Sequence, residues 1–228
     1  MTTYIFIGLS LVLSLIFMPI IIKFCKKFNL YDYQSVRKIH SGNIPRLGGI
    51  GIVFAFFIST VGYLITTKEV HITNYIPILL AGLIIFVFAI VDDLLNLPAL
   101  VKLIVQLIAV SIVTFNGYRF TQIGLWHLPT IVSYVFSFGW ILGVINAYNL
   151  IDGLDGLCGS LSITTIITMG ILYTLAGNYE GVICFILAAA ILGFLVYNWP
   201  PAKIFMGDNG SQFLGFMISV IPLYTSGD

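Results

Sequence analysis

Long apolar runs, separated by short clusters of polar residues, fill the chain from end to end. Eight of them reach or approach the ~17 to 20 residues that a helix needs to cross a bilayer's hydrocarbon core. They lie at about 4–22, 47–66, 76–91, 98–115, 130–148, 158–176, 181–197 and 210–224. The polar/apolar alternation of a barrel strand is absent and the runs are too long for one, so the pattern predicts an all-α polytopic membrane bundle. No long polar linker or repeat interrupts the runs, and residues 1–228 are expected to form a single integral-membrane domain. The first run, Tyr4 to Ile22, lacks a basic leader and a small-residue cleavage site, which makes it a retained helix and not a signal peptide.

Composition strengthens this reading. The chain is 59% hydrophobic and 8% charged, against roughly 45 to 50% apolar in soluble domains. A net charge of +1 and the lack of a long basic tract exclude nucleic acid as a partner. Cys25, Cys158 and Cys184 are odd in number and share no metal-ligand spacing, so they read as small apolar fillers.

Charge sets an orientation. Alternate threading of eight spans places Lys23, Lys26, Lys27, Arg37, Lys38, Arg46, Lys102 and Lys203 on one side, with only Lys68 and Arg119 on the other. The basic side is expected to be cytoplasmic and the N-terminus external. Asp32, Asp92, Asp93, Asp152, Asp155 and Asp208 fall on that same basic side, while Glu69, Glu180 and Asp228 fall opposite. Carboxylates and lysines from distant loops thus converge on one membrane face, as a site would require.

Four stretches carry the chemistry. In "VDDLLNLPALVKLIVQ" the adjacent Asp92 and Asp93 repel one another, and a hard divalent cation or a phosphate site would account for them; helix capping is the plainer alternative. Lys102 and Gln106 follow four apart on one helix face, where Lys102 could hold a phosphate or simply snorkel. In "NAYNLIDGLDGLCGS", Asn146, Asn149, Asp152 and Asp155 recur at steps of three, which drift around a helix by about 60° each. The four cannot share one direction in an unbroken helix, and Gly153 with Gly156 predicts a break there. "PPAKIFMGDNGSQFLGF" supplies Asp208 ahead of a helix start, where anions bind, and Lys203 as a partial counter-charge for a diphosphate. "RKIHSGNIPRLGGIG" offers Arg37, Lys38 and Arg46 as phosphate clamps, or as a polybasic stretch drawn to anionic lipid.

Taken together, "DD…K…Q", "NxxNxxDGxDGL" and "FMGDxGS", in this order and on one face, resemble the polyprenyl-phosphate N-acetylhexosamine-1-phosphate transferases of glycosyltransferase family 4, the MraY/WecA/TagO group. The match runs from about Arg37 to Gly215. The resemblance implies a Mg²⁺-dependent enzyme, with Mn²⁺ as a substitute, in the bacterial cytoplasmic membrane. It would move a sugar-1-phosphate from a UDP-sugar onto undecaprenyl phosphate and release UMP, as the first lipid-linked step of an envelope polysaccharide. The expected partners are the polyprenyl phosphate, the UDP-sugar, the lipid bilayer and a second copy of the chain.

By motif position, the resemblance implies that Asp92, Asp93, Lys102 and Asp152 are catalytic, with Asp92 orienting or deprotonating the lipid phosphate. Asp208 and Asp93 would serve the metal. Lys38, Asn146, Asn149, Asp155, Lys203 and Phe205 would bind substrate, Asp155 and Phe205 holding the uridine. The "IPRLGG" form is closer to the GlcNAc-using branch than to the muramoyl-pentapeptide branch, which favours UDP-GlcNAc. Relatives continue with further membrane helices and a histidine-rich loop, so the resemblance also implies a C-terminally short chain whose own activity is in question. Rival readings fare worse on the residues. An intramembrane aspartyl protease needs glycine where Phe205 stands, an ion-coupled transporter needs acids near mid-bilayer, and prenyl transfer needs an acid where "DDLLN" has Asn96.

Overall fold

Proline, glycine and asparagine set where the helices begin and end. The computed structural model describes residues 2–31, 44–67 and 70–223. It contains α1 (Thr2–Phe28), α2 (Gly48–Thr66), α3 (Ile76–Leu95), α4 (Ala99–Phe115), α5 (Thr130–Ile151), α6 (Leu157–Leu175), α7 (Glu180–Asn198) and α8 (Asp208–Val220). Pro98 and Pro129 stand immediately before α4 and α5, where a missing N–H leaves no ladder bond unmade. Asn96 closes α3 in the left-handed region at φ 50°. The only described strands, β1 (Gln122–Ile123) and β2 (Trp126–His127), form a two-stranded hairpin between α4 and α5.

All eight expected helices are present, but they are not equivalent. Six of them, α1, α2, α3, α5, α6 and α7, are long and apolar enough to cross a membrane. Helix α4 is apolar but has 17 residues. Helix α8 has 13, roughly 20 Å of rise against about 30 Å of hydrocarbon. The span expected at 210–224 is therefore corrected: the α-helix stops at Val220, a 3₁₀ turn containing Pro222 occupies Ile221–Leu223, and 224–228 lie outside the described residues. Every residue from Asn209 to Val220 is buried, packed against α5, α3 and α2. Thus α8 is the inner helix of the bundle and not a lipid-facing one.

Helices in lipid gain little from the hydrophobic effect when they meet one another, so small residues and polar contacts carry the packing. Ser10 and Ser14 of α1 donate to the carbonyls of Ile186 and Ala190 on α7, at 2.8 and 2.7 Å. A Cβ on Gly215 of α8 would come within 2.8 Å of the Ile145 Cα on α5. A Cβ on Gly49, at the start of α2, would fall onto the backbone of Gly210 in α8. The starts of α2 and α8 therefore touch backbone to backbone.

Gly49→Ala is expected to destabilise the protein by about 1–3 kcal/mol through overpacking. Gly143→Ala on α5, where nothing lies within 4 Å of the new methyl, is expected not to destabilise it, since alanine is the better helix former. Thermal unfolding of both variants in detergent measures the difference.

Candidate active site

Neighbouring residues on an α-helix point about 100° apart, and this separates the two aspartates. They sit inside the last turns of α3, which runs to Leu95, and both are buried. Asp92 Oδ1 accepts the Leu97 N–H at 2.9 Å, stabilising the α3–α4 turn, while Oδ2 forms an ion pair with Lys102 Nζ. Asp93 points elsewhere. Its Oδ1 accepts the Asp208 N–H at 3.1 Å, and its Oδ2 accepts the Asn209 N–H at 2.9 Å and the Asn209 side-chain amide at 2.6 Å. A carboxylate from α3 thus caps α8, satisfying its first two backbone donors and lying at the positive end of its dipole.

Lys102 joins the two groups. Its Nζ also donates to Asp208 Oδ2 at 3.2 Å, so Asp92 and Asp208 flank one ammonium. Gln106, one turn along α4, donates to Gln212 at 3.1 Å and accepts from Asn146 at 3.0 Å. Asn149 accepts from Ser211 Oγ at 2.9 Å. The break expected between α5 and α6 is present: α5 ends at Ile151, half-buried Asp152 follows it, and Gly156 adopts φ 72° before α6. Its N–H donates to Asn198 Oδ1 at 3.0 Å, and Asp155 Oδ2 accepts the Ala202 N–H at 3.0 Å.

Two of the sequence motifs interlock through their backbones. Phe205 N–H donates to the Pro45 carbonyl at 2.7 Å, and the N–H groups of Gly48 and Gly49 donate to the carbonyls of Phe205 and Met206 at 2.9 Å each. Gly207, at φ 78°, passes so close to the Arg46 carbonyl that a side chain there would collide with it. The glycines of "IPRLGG" and "FMGD" therefore allow one close crossing.

Asp92, Asp93, Lys102, Asn146, Asn149, Asp208 and Phe205 are thus brought to one end of the bundle and linked through α4 and α8. Lys203 is exposed and lines a separate groove with Lys23 and Lys26. Lys38, with Arg37 and His40, lies outside the described residues. Gln212, Asn198 and Asn209 were not singled out in the sequence. The spacing of Gln212 from Asp208, equal to that of Gln106 from Lys102, is the signal that would have found the first of them.

Asp92 and Asp208 share the Lys102 ammonium in a largely apolar setting, and a divalent cation is a species that would offset the remaining charge. Asp208 fits it best: its side chain is 32% exposed, and its Oδ1 accepts from no described residue. Asp92 could contribute beside it, whereas both oxygens of Asp93 are engaged by α8. Among the described residues no three His, Cys, Asp or Glu side chains form a protein-only cage. Magnesium needs none, since it commonly keeps waters and takes one or two carboxylates with substrate phosphates.

The family model described as Glycosyl transferase family 4 matches residues 75–226. The chain is 36% identical over 220 residues to the "probable undecaprenyl-phosphate N-acetylglucosaminyl 1-phosphate transferase" of Bacillus subtilis (strain 168), covering 94% of this chain and 60% of that protein. It is 33% identical over 215 residues to the decaprenyl-phosphate N-acetylglucosaminephosphotransferase of Mycobacterium tuberculosis (strain ATCC 25618 / H37Rv), covering 86% and 53%. With the phospho-N-acetylmuramoyl-pentapeptide-transferase of Staphylococcus carnosus (strain TM300) it shares 30% identity over 249 residues, covering 96% and 75%. The chain therefore spans 60% and 53% of the length of the first two relatives.

Asp93→Ala removes the acceptor for three N–H donors and is expected to cost on the order of 3 kcal/mol of stability. Asp93→Asn, which keeps one acceptor oxygen, costs less, and Lys203→Ala at its exposed position leaves stability unchanged. Unfolding midpoints of the three variants in detergent check the order.

Proposed function

Because the chain belongs to glycosyl transferase family 4, we propose that it transfers a sugar-1-phosphate from a UDP-sugar to a polyprenyl phosphate, releasing UMP. The observation that carries this reading is Lys102 held between Asp92 and Asp208 where the motif-bearing segments meet. The two most similar relatives described above are named for N-acetylglucosamine transfer, which supports UDP-GlcNAc as the donor. At the end of the bundle that holds the site lie Lys23, Lys26, Lys27, Arg46, Lys102 and Lys203, with Arg119 near the other end. That asymmetry supports a cytoplasmic site and an external N-terminus.

Donor diphosphate and acceptor phosphate are both anions, so the reaction demands positioning and charge neutralisation above all. An oxygen of the lipid phosphate forms a new bond to the sugar-bearing phosphorus. The bond from that phosphorus to the bridging oxygen breaks, and UMP leaves with the electron pair. A phosphate monoester has a second pKa near 6 and is mostly dianionic at neutral pH, so removing its proton contributes little. Asp92, already paired with Lys102, acts by holding that ammonium toward the incoming phosphate. Asp208 holds the divalent cation, Mg²⁺ or Mn²⁺, which when bound supplies counter-charge to the diphosphate. Asn149, Asp152 and Asp155 stand at the α5–α6 break, where Asp155 accepts the Ala202 N–H, and with Phe205 they would bind the nucleotide.

The full chain, purified in detergent with UDP-GlcNAc, polyprenyl phosphate and Mg²⁺, is expected to release UMP and no pyrophosphate, and EDTA is expected to stop it. Lys102→Met and Asp208→Asn each lower the rate on the order of 10²-fold or more, as when one charge-stabilising contact is removed from a phosphate or oxyanion site. Equal turnover by wild type and both variants would overturn the assignment.

A further inference from the structure

Helices α4 and α8 start at the same end of the bundle and are joined by two rungs at the same offset. Lys102 Nζ donates to Asp208 Oδ2 at 3.2 Å, and one turn further along both helices Gln106 Nε2 donates to Gln212 Oε1 at 3.1 Å. Gln212 Nε2 then returns along its own helix to Asp208 Oδ2 at 3.3 Å. On the far side, the Asn146 amide of α5 donates to Gln106 Oε1 at 3.0 Å. Three amides thus form a chain that runs one way: Asn146 donates into it, and Gln106 and Gln212 each accept at oxygen and donate from nitrogen, until it ends on a carboxylate.

Gln106 is 3% exposed and Gln212 is 1% exposed. Buried amides among apolar helices are expensive unless bonded, and their presence calls for a reason beyond packing. Asp208 supplies it. A single bond from a half-exposed lysine leaves a carboxylate free to turn, whereas a second donor on the same oxygen, itself anchored in the bundle, stops that rotation. The oxygen left over, Oδ1, receives no hydrogen bond from a described residue.

We propose that Gln212, anchored by Gln106, is a positioning residue that ties down Oδ2 of Asp208 and so presents Oδ1 to a divalent cation. The reaction served rests on the transferase reading, but the positioning itself does not. A purely structural amide bridge between helices would have no effect on cation binding.

The test uses the full chain in detergent without substrates, following the thermal midpoint as Mn²⁺ is added, with Asp208→Asn as the variant that abolishes the response. Gln106→Leu/Gln212→Leu removes both partners, orphans no amide because Asn146 still donates to the Leu142 carbonyl, and is expected to keep the metal-free midpoint. It should need about tenfold more Mn²⁺ for half the stabilisation, the scale seen when groups that orient a metal ligand are removed. In UMP release it should show a lower kcat with an unchanged KM for the UDP-sugar. Gln212→Met carries the same comparison if the double variant does not fold. Half-saturation equal to wild type overturns the proposal, as does a wild type that does not respond to Mn²⁺. A wild type that responds to Mn²⁺ but releases no UMP overturns the proposed reaction alone.

Discussion

The buried start of α8 is the constraint on which the site rests. A helix beginning inside an apolar bundle leaves its first N–H groups without water to bind, and each unmade bond there is costly. Asp93 meets this need from α3, while the Gly207 carbonyl accepts the N–H groups of Gly210 and Ser211 at 3.1 and 3.0 Å. The cap fixes α8 in depth and rotation against α3. Asp208 is the first residue of α8, so its position follows from that cap.

Around the cap, charge is deliberately unbalanced. A buried carboxylate paired with one ammonium can be tolerated, but two sharing one, as Asp92 and Asp208 share Lys102, is an arrangement that stability alone would not favour. Lys102 shared by Asp92 and Asp208, from opposite ends of the sequence motifs, holds the excess in a fixed place. Substrate phosphates and a cation would complete the charge balance, so folding and ligand binding draw on the same electrostatics.

Much of this was legible in the sequence. The long apolar runs gave helix positions to within a few residues because membrane segments have little room to vary. The break before α6 followed from Gly153 and Gly156, set among polar residues whose steps of three drift around a helix. The inner position of α8 was not legible from the apolar length of the run at 210–224, which gives its polar residues no weight; the helix's short extent and the burial of Asn209 to Val220 distinguish it. Nor was the division of labour between Asp92 and Asp93. Side by side in the sequence they suggest a pair, yet helix geometry turns them to different partners. Lys203, placed by its motif, was expected to face the diphosphate, and instead sits on an exposed segment with Lys23 and Lys26.

The burial of α8 also bears on how the protein is made. Helices α2, α3 and α5 emerge from the ribosome before the segment they enclose, so the place that α8 fills is completed only after they are made. That segment carries Asp208, Asn209, Ser211, Gln212 and Ser219 among its 13 residues, too polar a stretch to enter lipid readily by itself. Its passage into the membrane is then an assembly step, guided by partners already inserted, and not an independent partitioning event.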